Sequence, residues 1–195
     1  MNKNKNYHHG DLKEALLRSA EAILVREGAE KLTLRACARD AGVSHAAPAH
    51  HFGNLAGLLT ALAVTGFLRL AACQEREIEA AGTDPAARKR AVGVGYIRFA
   101  LFNRALFEFI FKDGRIDRHS PAYGEAVKAA GAPVRRFLGF GEVGALDRDN
   151  IEWVRAWSLV HGFAVLATGG ALHPPGGGKL GGEELLALGA RVLGG

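Results

Sequence analysis

The stretch that decides the fold is TLRACARDAGVSHAAPAHHF, Thr33–Phe52. The hydroxyl of Thr33 can cap a helix, and apolar residues then recur at intervals of three and four residues as far as Ala41. Gly42 follows, and glycine enters a left-handed turn at little cost. Ser44 offers a second cap, in front of a second short helix. Two short helices joined by a turn of this length and composition are typical of a helix-turn-helix.

The second helix of such a unit enters the major groove of DNA with its first residues facing the base edges. Small alanine side chains allow the backbone to approach the groove, and His45 can donate to a base edge or a phosphate. Free amides near Thr33 and Ser44 can bind phosphate oxygens, and Arg35 adds positive charge. Pro48 lacks an amide, but it lies in the first helical turn, where this loss costs least.

The segments on both sides of this stretch have helical periodicity as well. A helix is predicted from Asp11 to Glu27, with its apolar side chains along one stripe. After Asn54 an apolar and then charged run predicts a long helix that extends to Gly82. A further helix is predicted to begin at Asp84-Pro85 and to continue in helical or bent form across Phe102–Phe111 to Lys112. Another is predicted to begin at Ser120-Pro121 and to have a kink at Gly131 and Pro133. The last two are predicted at Trp153–Ala167, after an opening at Asp147 or Asp149, and at Glu183–Leu193.

No segment shows the period-two alternation of a half-buried strand, so the fold class is predicted to be all-α. The glycine-rich stretch Thr168–Gly182 is predicted to be a flexible loop. A chain of 195 residues is long enough for one compact unit with a small appended module.

The composition is that of a globular protein with a mild positive charge. Hydrophobic residues make up 48% and charged residues 23%, and the net charge of +5 is compatible with a polyanionic partner. The sequence has only two cysteines and no evident apolar leader, so a cytoplasmic protein is expected. The longest strongly apolar run, around Phe99–Phe111, is broken by polar residues, and no membrane span is expected.

The sequence offers little for catalysis, cofactors or metals. The run Gly176–Gly182, GGGKLGG, lacks the preceding strand and the Ser or Thr of a phosphate-binding loop. The neighbours His50 and His51 have no further histidine one helical turn away, so they do not form a metal pair. We therefore expect no enzyme, no cofactor and no metal.

The Thr33–Phe52 stretch, the helix after HHGDL and the leucine-rich helix that follows resemble the DNA-binding domain of TetR-type transcriptional regulators. The later WSLVHG, Trp157–Gly162, resembles the Trp-His-Gly signature of one C-terminal domain class in that family. The resemblance implies a helix-turn-helix DNA-binding domain at residues 1–55. It also implies a helical ligand-binding and dimerisation domain at residues 56–195.

The resemblance further implies a homodimer on a palindromic double-stranded DNA operator, released by a small apolar or amphipathic effector. The dimer is expected to form through the last two long helices, with Val160 and Leu186 in the interface. Phe52 matches the residue that anchors the recognition helix to the core. The residues that match DNA-facing positions of the family are Thr33, Arg35, Ser44, His45, Ala46 and His50.

The candidate ligand residues are aromatic. Trp157 and His161 lie one turn apart on one helical face, so both can line a cavity in the C-terminal bundle. Some phenylalanines of the central segment are expected to line any apolar pocket, although core packing is the first interpretation for them and is at least as good an explanation for Trp157 and His161. The candidates are Phe99, Phe102, Phe107, Phe111, Trp157 and His161.

Two departures from the family pattern leave an alternative open. The family usually has a phosphate-binding tyrosine where Ala49 stands and a lysine where Leu55 stands. A helical small-molecule-binding or interaction protein of the same fold, without operator binding, is the second hypothesis. A third is an all-helical enzyme that uses His161 or His119.

Overall fold

Nine α-helices and one 3-10 turn make up the described part of the chain, residues 9–139 and 151–194 of a computed structural model. The all-α prediction is confirmed, because these residues include no strand. Side chains are described from Leu12 onward. The elements are α1 (His9–Glu27), a 3-10 turn (Ala29–Lys31), α2 (Leu34–Asp40), α3 (Ala47–Phe52), α4 (Leu55–Ala80), α5 (Pro85–Phe102), α6 (Arg104–Lys112), α7 (Pro121–Leu138), α8 (Ile151–Thr168) and α9 (Gly182–Val192).

Side-chain caps begin three of these helices, at Thr33, Asn54 and Asp84. The Thr33 hydroxyl accepts a hydrogen bond from the amide of Ala36 at 3.0 Å, as the sequence predicts. The Asp84 carboxylate likewise accepts from Ala87 at 2.8 Å, directly before Pro85. Because each cap satisfies an amide that has no partner within the helix, these residues fix where the helices start.

The predicted cap at Ser44 is wrong. Helix α3 begins at Ala47, and its cap residue is Ala46, which makes no side-chain bond. Pro48 has no amide to donate to the Ser44 carbonyl, so the first bond of the helical ladder forms later, from His50 to Ala46 at 3.0 Å. Helix α1 also differs from its prediction, since it already includes His9, two residues before Asp11.

Helix α4 is the centre of the fold. It packs against α1 and α3 on the N-terminal side and against α5, α6 and α7 on the C-terminal side. Leu58, Leu59 and Leu62 are fully buried. By length and composition alone, α4 is the one helix in the described ranges that could cross a membrane. The expectation of no membrane span considered only the run around Phe99–Phe111 and missed this helix. Its apolar side chains instead form the core between neighbouring helices.

The C-terminal part surrounds α4 and α5. Helices α5 and α6 are separated by a break at Asn103, within the stretch for which the sequence leaves helical and bent forms open. Pro133 lies inside α7 and is buried. The predicted helix openings at Asp147 and Asp149 lie outside the described residues. Both α8 and α9 pack on α5 through an apolar cluster that includes Ile97 and Phe163.

Candidate functional site

The helix-turn-helix is formed by α2, α3 and the turn Ala41–Val43. Gly42 has a φ of 66°, the left-handed conformation for which glycine is suited. The amide of Val43 donates to the carbonyl of Ala38 at 3.0 Å and closes the turn. Buried Pro48 and half-buried Phe52 hold α3 against the remaining helices.

All residues predicted to face DNA are exposed on this unit. Thr33 and Arg35 lie at the start of α2, and the others lie in the turn before α3 or on α3 itself. None belongs to the core, so their side chains are available to a partner. The exposed residues are Thr33, Arg35, Ser44, His45, Ala46 and His50.

The two departures from the family pattern have different settings. Ala49 is exposed on α3, where its methyl group cannot reach across to a phosphate. Leu55 is the first residue of α4 and packs against the core. Neither position therefore supplies the charge or hydroxyl found there in the family.

An aromatic cluster lies between α5, α6 and α8 and consists of Tyr96, Phe107, Phe111, Trp157 and His161. The Tyr96 hydroxyl and His161 Nδ1 are hydrogen-bonded at 2.7 Å. The His161 ring stacks on Trp157 with centroids 4.9 Å apart and meets Phe111 edge-on at the same distance. Phe107 closes the cluster at 5.5 Å from His161.

The polar groups of the aromatic cluster are neutral. Burial lowers the pKa of His161 below its ordinary value of 6.5, and the charge of Lys112 lowers this pKa further. Burial also raises the pKa of Tyr96 well above its ordinary range. Imidazole and phenol thus share one hydrogen bond inside an aromatic shell without carrying charge at neutral pH.

The structure brings together four of the predicted ligand residues, Phe107, Phe111, Trp157 and His161. Phe99 is fully buried behind Phe107, with ring centroids 6.5 Å apart.

Phe102 lies apart from the aromatic cluster. It is 52% exposed and carries the Arg98 guanidinium over its ring. Sequence reasoning missed Tyr96 as a site residue, although its hydroxyl is the one polar group on an otherwise apolar stripe of α5.

A second feature that sequence reasoning missed is Gln74 on α4. This side chain is 2% exposed, and its Oε1 has no hydrogen-bond partner among the described residues. On the facing helix, Gly95 leaves no room for a side chain, because a Cβ there would lie 2.5 Å from the Cα of Gln74. Helices α4 and α5 are therefore in close contact at this level.

The N-terminal helices are joined to the C-terminal part by a polar junction of Glu21, Arg69 and Asn103. Arg69 donates to both carboxylate oxygens of Glu21, at 2.5 and 2.9 Å, and to Asn103 Oδ1 at 3.0 Å. Glu21 and Asn103 also line a cleft of about 890 Å³ between α1 and the break that separates α5 from α6. The aromatic cluster does not line this cleft.

Comparison with known proteins identifies the family. A family model described as tetracyclin repressor-like, C-terminal domain, matches residues 89–188. This chain belongs to the TetR family. The matched range runs from α5 into α9, so it covers the aromatic cluster, and the helix-turn-helix precedes it. A search of curated proteins finds no match.

Solved structures share the TetR fold over nearly the whole chain. A protein of unknown function from Rhodococcus sp. RHA1 is 36% identical, with a TM-score of 0.72 over 97% of both chains. The TetR-like regulator LfrR from Mycobacterium smegmatis, in complex with proflavine, is 17% identical, with a TM-score of 0.62 over 93% of this chain and 94% of its own. NalD, the secondary repressor of the MexAB-OprM efflux pump in Pseudomonas aeruginosa, is 20% identical, with a TM-score of 0.55 over 94% of this chain and 95% of its own.

Proposed function

We propose that this TetR-family protein is a ligand-responsive transcriptional repressor of the cytoplasm, without enzymatic activity. As a homodimer it binds a palindromic operator, and a small apolar or amphipathic effector releases it. The observation that carries the proposal is the exposed α2–α3 surface, where Arg35 and His45 are free of the core while Pro48 is buried. The DNA-binding unit is residues 1–55 and the effector and dimer unit is residues 56–195.

The proposed DNA contacts follow from this surface. Arg35 at the start of α2 neutralises a phosphate, and His45 and Ala46 in the turn before α3 meet base edges. His50 on α3 and the polar side chains of Thr33 and Ser44 add backbone contacts. Because phosphate contacts release counterions, we expect binding to weaken steeply with salt.

The outward face of α8 supports the proposed dimer. Ile151, Leu159 and Leu166 are 55%, 47% and 49% exposed, which is unusual for three large apolar residues on one helix. Gly162 lies between them with open space beside it, so the helix of a second copy can approach closely. Val192 of α9 is 42% exposed as well.

The residues that sequence reasoning chose for the interface are oriented differently. Val160 packs against the apolar core, and Leu186 is only 6% exposed. The proposed interface is therefore centred on Leu159 and Leu166. In the dimer, the two α3 helices must lie about 34–36 Å apart, or a multiple of this, to enter successive major grooves.

The aromatic cluster is the proposed effector site. Its rings bind an apolar or aromatic molecule, and Tyr96 and His161 provide polar atoms that can exchange partners. The effector binds one conformation of the dimer more tightly than the other, and the two conformations differ in the separation of the α3 helices.

The chain offers a route from this site to the DNA-binding unit. Phe107 of the aromatic cluster packs on Phe99, and the Phe99 carbonyl accepts a hydrogen bond from Asn103 Nδ2 at 3.1 Å. Asn103 in turn binds Arg69, which holds Glu21 of α1. An effector that displaces Phe107 would thus move a junction to which α1 is attached.

The second candidate function is that of a small-molecule-binding protein that has the effector site but does not bind an operator. It is favoured by Ala49 and Leu55, which remove two phosphate contacts usual in the family. A ligand-binding protein of this kind would bind DNA weakly and without sequence preference.

Fluorescence anisotropy of the purified protein on labelled DNA tests the proposal. The DNA is the region upstream of its own gene, with a scrambled duplex as control, at two salt concentrations. We expect specific binding that weakens with salt. The Arg35→Ala variant should flatten the slope of log K against log salt by about two per dimer, because each subunit loses a phosphate contact worth about 0.9.

A matched control removes positive charge elsewhere. Lys128 is exposed on α7, far from the helix-turn-helix in sequence, and Lys128→Ala should leave the salt slope unchanged. Equally weak binding of both duplexes would refute the repressor and favour the ligand-binding protein.

A further inference from the structure

Gln74 has an unmet requirement for a hydrogen-bond donor. Its Oε1 is buried and has no partner in the described ranges, and the side chain is 2% exposed. An acceptor that loses its water on folding and gains nothing in return is costly, so folded proteins contain few of them. Gln74 Oε1 is thus a candidate to accept a hydrogen bond from a bound molecule.

Gln74 extends the aromatic cluster along α4. Phe67, two turns earlier on the same face, meets Phe111 at 5.9 Å and Tyr123 of α7 at 5.4 Å. On the α5 side, Gly95 touches Gln74 and directly precedes Tyr96. Gln74 therefore lies on the α4 face that reaches the aromatic cluster through Phe67, next to the α5 turn that carries Tyr96.

The α7 side of this interior is lined by small residues and weakened by a proline. Ala126 and Ala130 are 2% and 7% exposed, and both are buried against α4 and its neighbours. Pro133, one turn further, cannot donate to the carbonyl of Ala129, so α7 lacks one backbone hydrogen bond there. A salt bridge from Arg136 to Glu75 at 2.5 Å keeps this part of α7 beside Gln74. Small side chains and a turn that lacks one backbone hydrogen bond therefore face α4 from α7.

We propose that Gln74 Oε1 is the polar anchor of the effector site and that the effector is a neutral aromatic molecule with one N–H or O–H donor. This inference rests on the proposed function, since it requires a ligand inside the C-terminal bundle. Tyr96 and His161 Nδ1 already pair with each other, whereas Gln74 Oε1 lacks a donor. A cationic effector would enter an apolar interior near Lys112, which disfavours positive charge there.

A pair of probes that differ by a single donor tests the proposal. Indole has one N–H donor and no strong acceptor, whereas 1-methylindole has the same ring without the donor. Isothermal titration calorimetry on the full chain should give about tenfold tighter binding for indole, since its N–H donates to Oε1 a hydrogen bond that 1-methylindole cannot form.

Two variants on the same helix assign the preference to Gln74. Gln74→Met keeps the length of the side chain and removes the acceptor, so indole and 1-methylindole should bind with about equal affinity. Leu70→Met, one turn earlier and 3% exposed, repacks the same face without a polar change and should keep the tenfold preference. Circular dichroism shows whether both variants are folded.

The failures are distinguishable. Equal binding of indole and 1-methylindole to the natural chain, or an indole preference that survives Gln74→Met, overturns the anchor and leaves the effector site standing. Absence of binding by both probes overturns the anchor and the effector site together. In that case the anisotropy of the DNA complex still tests operator binding separately.

Discussion

At the scale of single residues, the buried polar groups were the hardest to foresee. Gln74 stands at the start of the charged run QERE, where helical periodicity alone does not show that position 74 faces inward. Its burial depends on Gly95, because only a residue without Cβ lets α5 approach so closely. His161 was foreseen as a site residue from its spacing to Trp157, but its bond to Tyr96 depends on how α5 and α8 pack.

Removing the unsatisfied oxygen should stabilise the protein. Gln74→Met replaces a buried acceptor by a thioether of similar size, which should raise the free energy of unfolding by about 1 kcal/mol. For a chain of this length the melting temperature should rise by about 2–4 °C in differential scanning calorimetry. A lower melting temperature would mean that a bound water satisfies Gln74 in solution.

His161 should make stability depend on pH. Its pKa is lowered in the folded chain, so the unfolded chain binds more protons below pH 6.5, and stability is lost as the pH falls through this range. The lowered pKa of Asp113 acts only below its ordinary value of 3.8. The melting temperature should therefore fall more between pH 7.5 and 5.5 in the natural chain than in His161→Gln. An identical fall in both chains would refute a buried, neutral His161.

At the scale of elements, cap residues and breaks were predictable and the start of α3 was not. Thr33 and Asp84 determine their helices through a single local hydrogen bond, which a sequence displays directly. Ser44 has the same chemistry, but Pro48 withholds the amide that would complete the first turn. The junction of Glu21, Arg69 and Asn103 was also missed, because it joins residues far apart in the chain.

This junction should contribute to stability through its half-buried ion pair. Glu21→Gln removes the carboxylate that Arg69 binds twice and should cost about 1–2 kcal/mol, or about 2–8 °C in melting temperature. Glu14→Gln is the matched control on α1, since the Glu14–Arg18 pair is exposed and contributes little. Equal melting temperatures for both variants would show that the junction does not tie α1 to α4.

The outward face of α8 should determine the oligomeric state. Leu159→Glu places a charge in the proposed interface and should convert the dimer to a monomer in light scattering after gel filtration. Leu68→Glu is the matched control, because Leu68 is 50% exposed on α4, away from α8. A dimer that persists in Leu159→Glu would place the interface elsewhere.

At the scale of the whole molecule, the family was evident from about twenty residues, whereas the geometry of the effector site was not. The helix-turn-helix is local in sequence, so Thr33–Phe52 carries nearly all the information for it. The aromatic cluster combines three helices, and Phe102, which has the same chemistry as Phe107, faces outward. Local patterns determine the helices, but the packing between helices determines which aromatic residues meet.

Operator binding is tested most directly by selecting binding sites from a pool of random DNA duplexes with the purified protein. We expect enrichment of an inverted repeat whose half-sites lie about one helical turn, 10–10.5 base pairs, or a multiple of this apart. Enrichment should be lost with Leu159→Glu, which separates the subunits. A pool without any enriched sequence would contradict a repressor and identify the chain as a ligand-binding protein on a TetR fold.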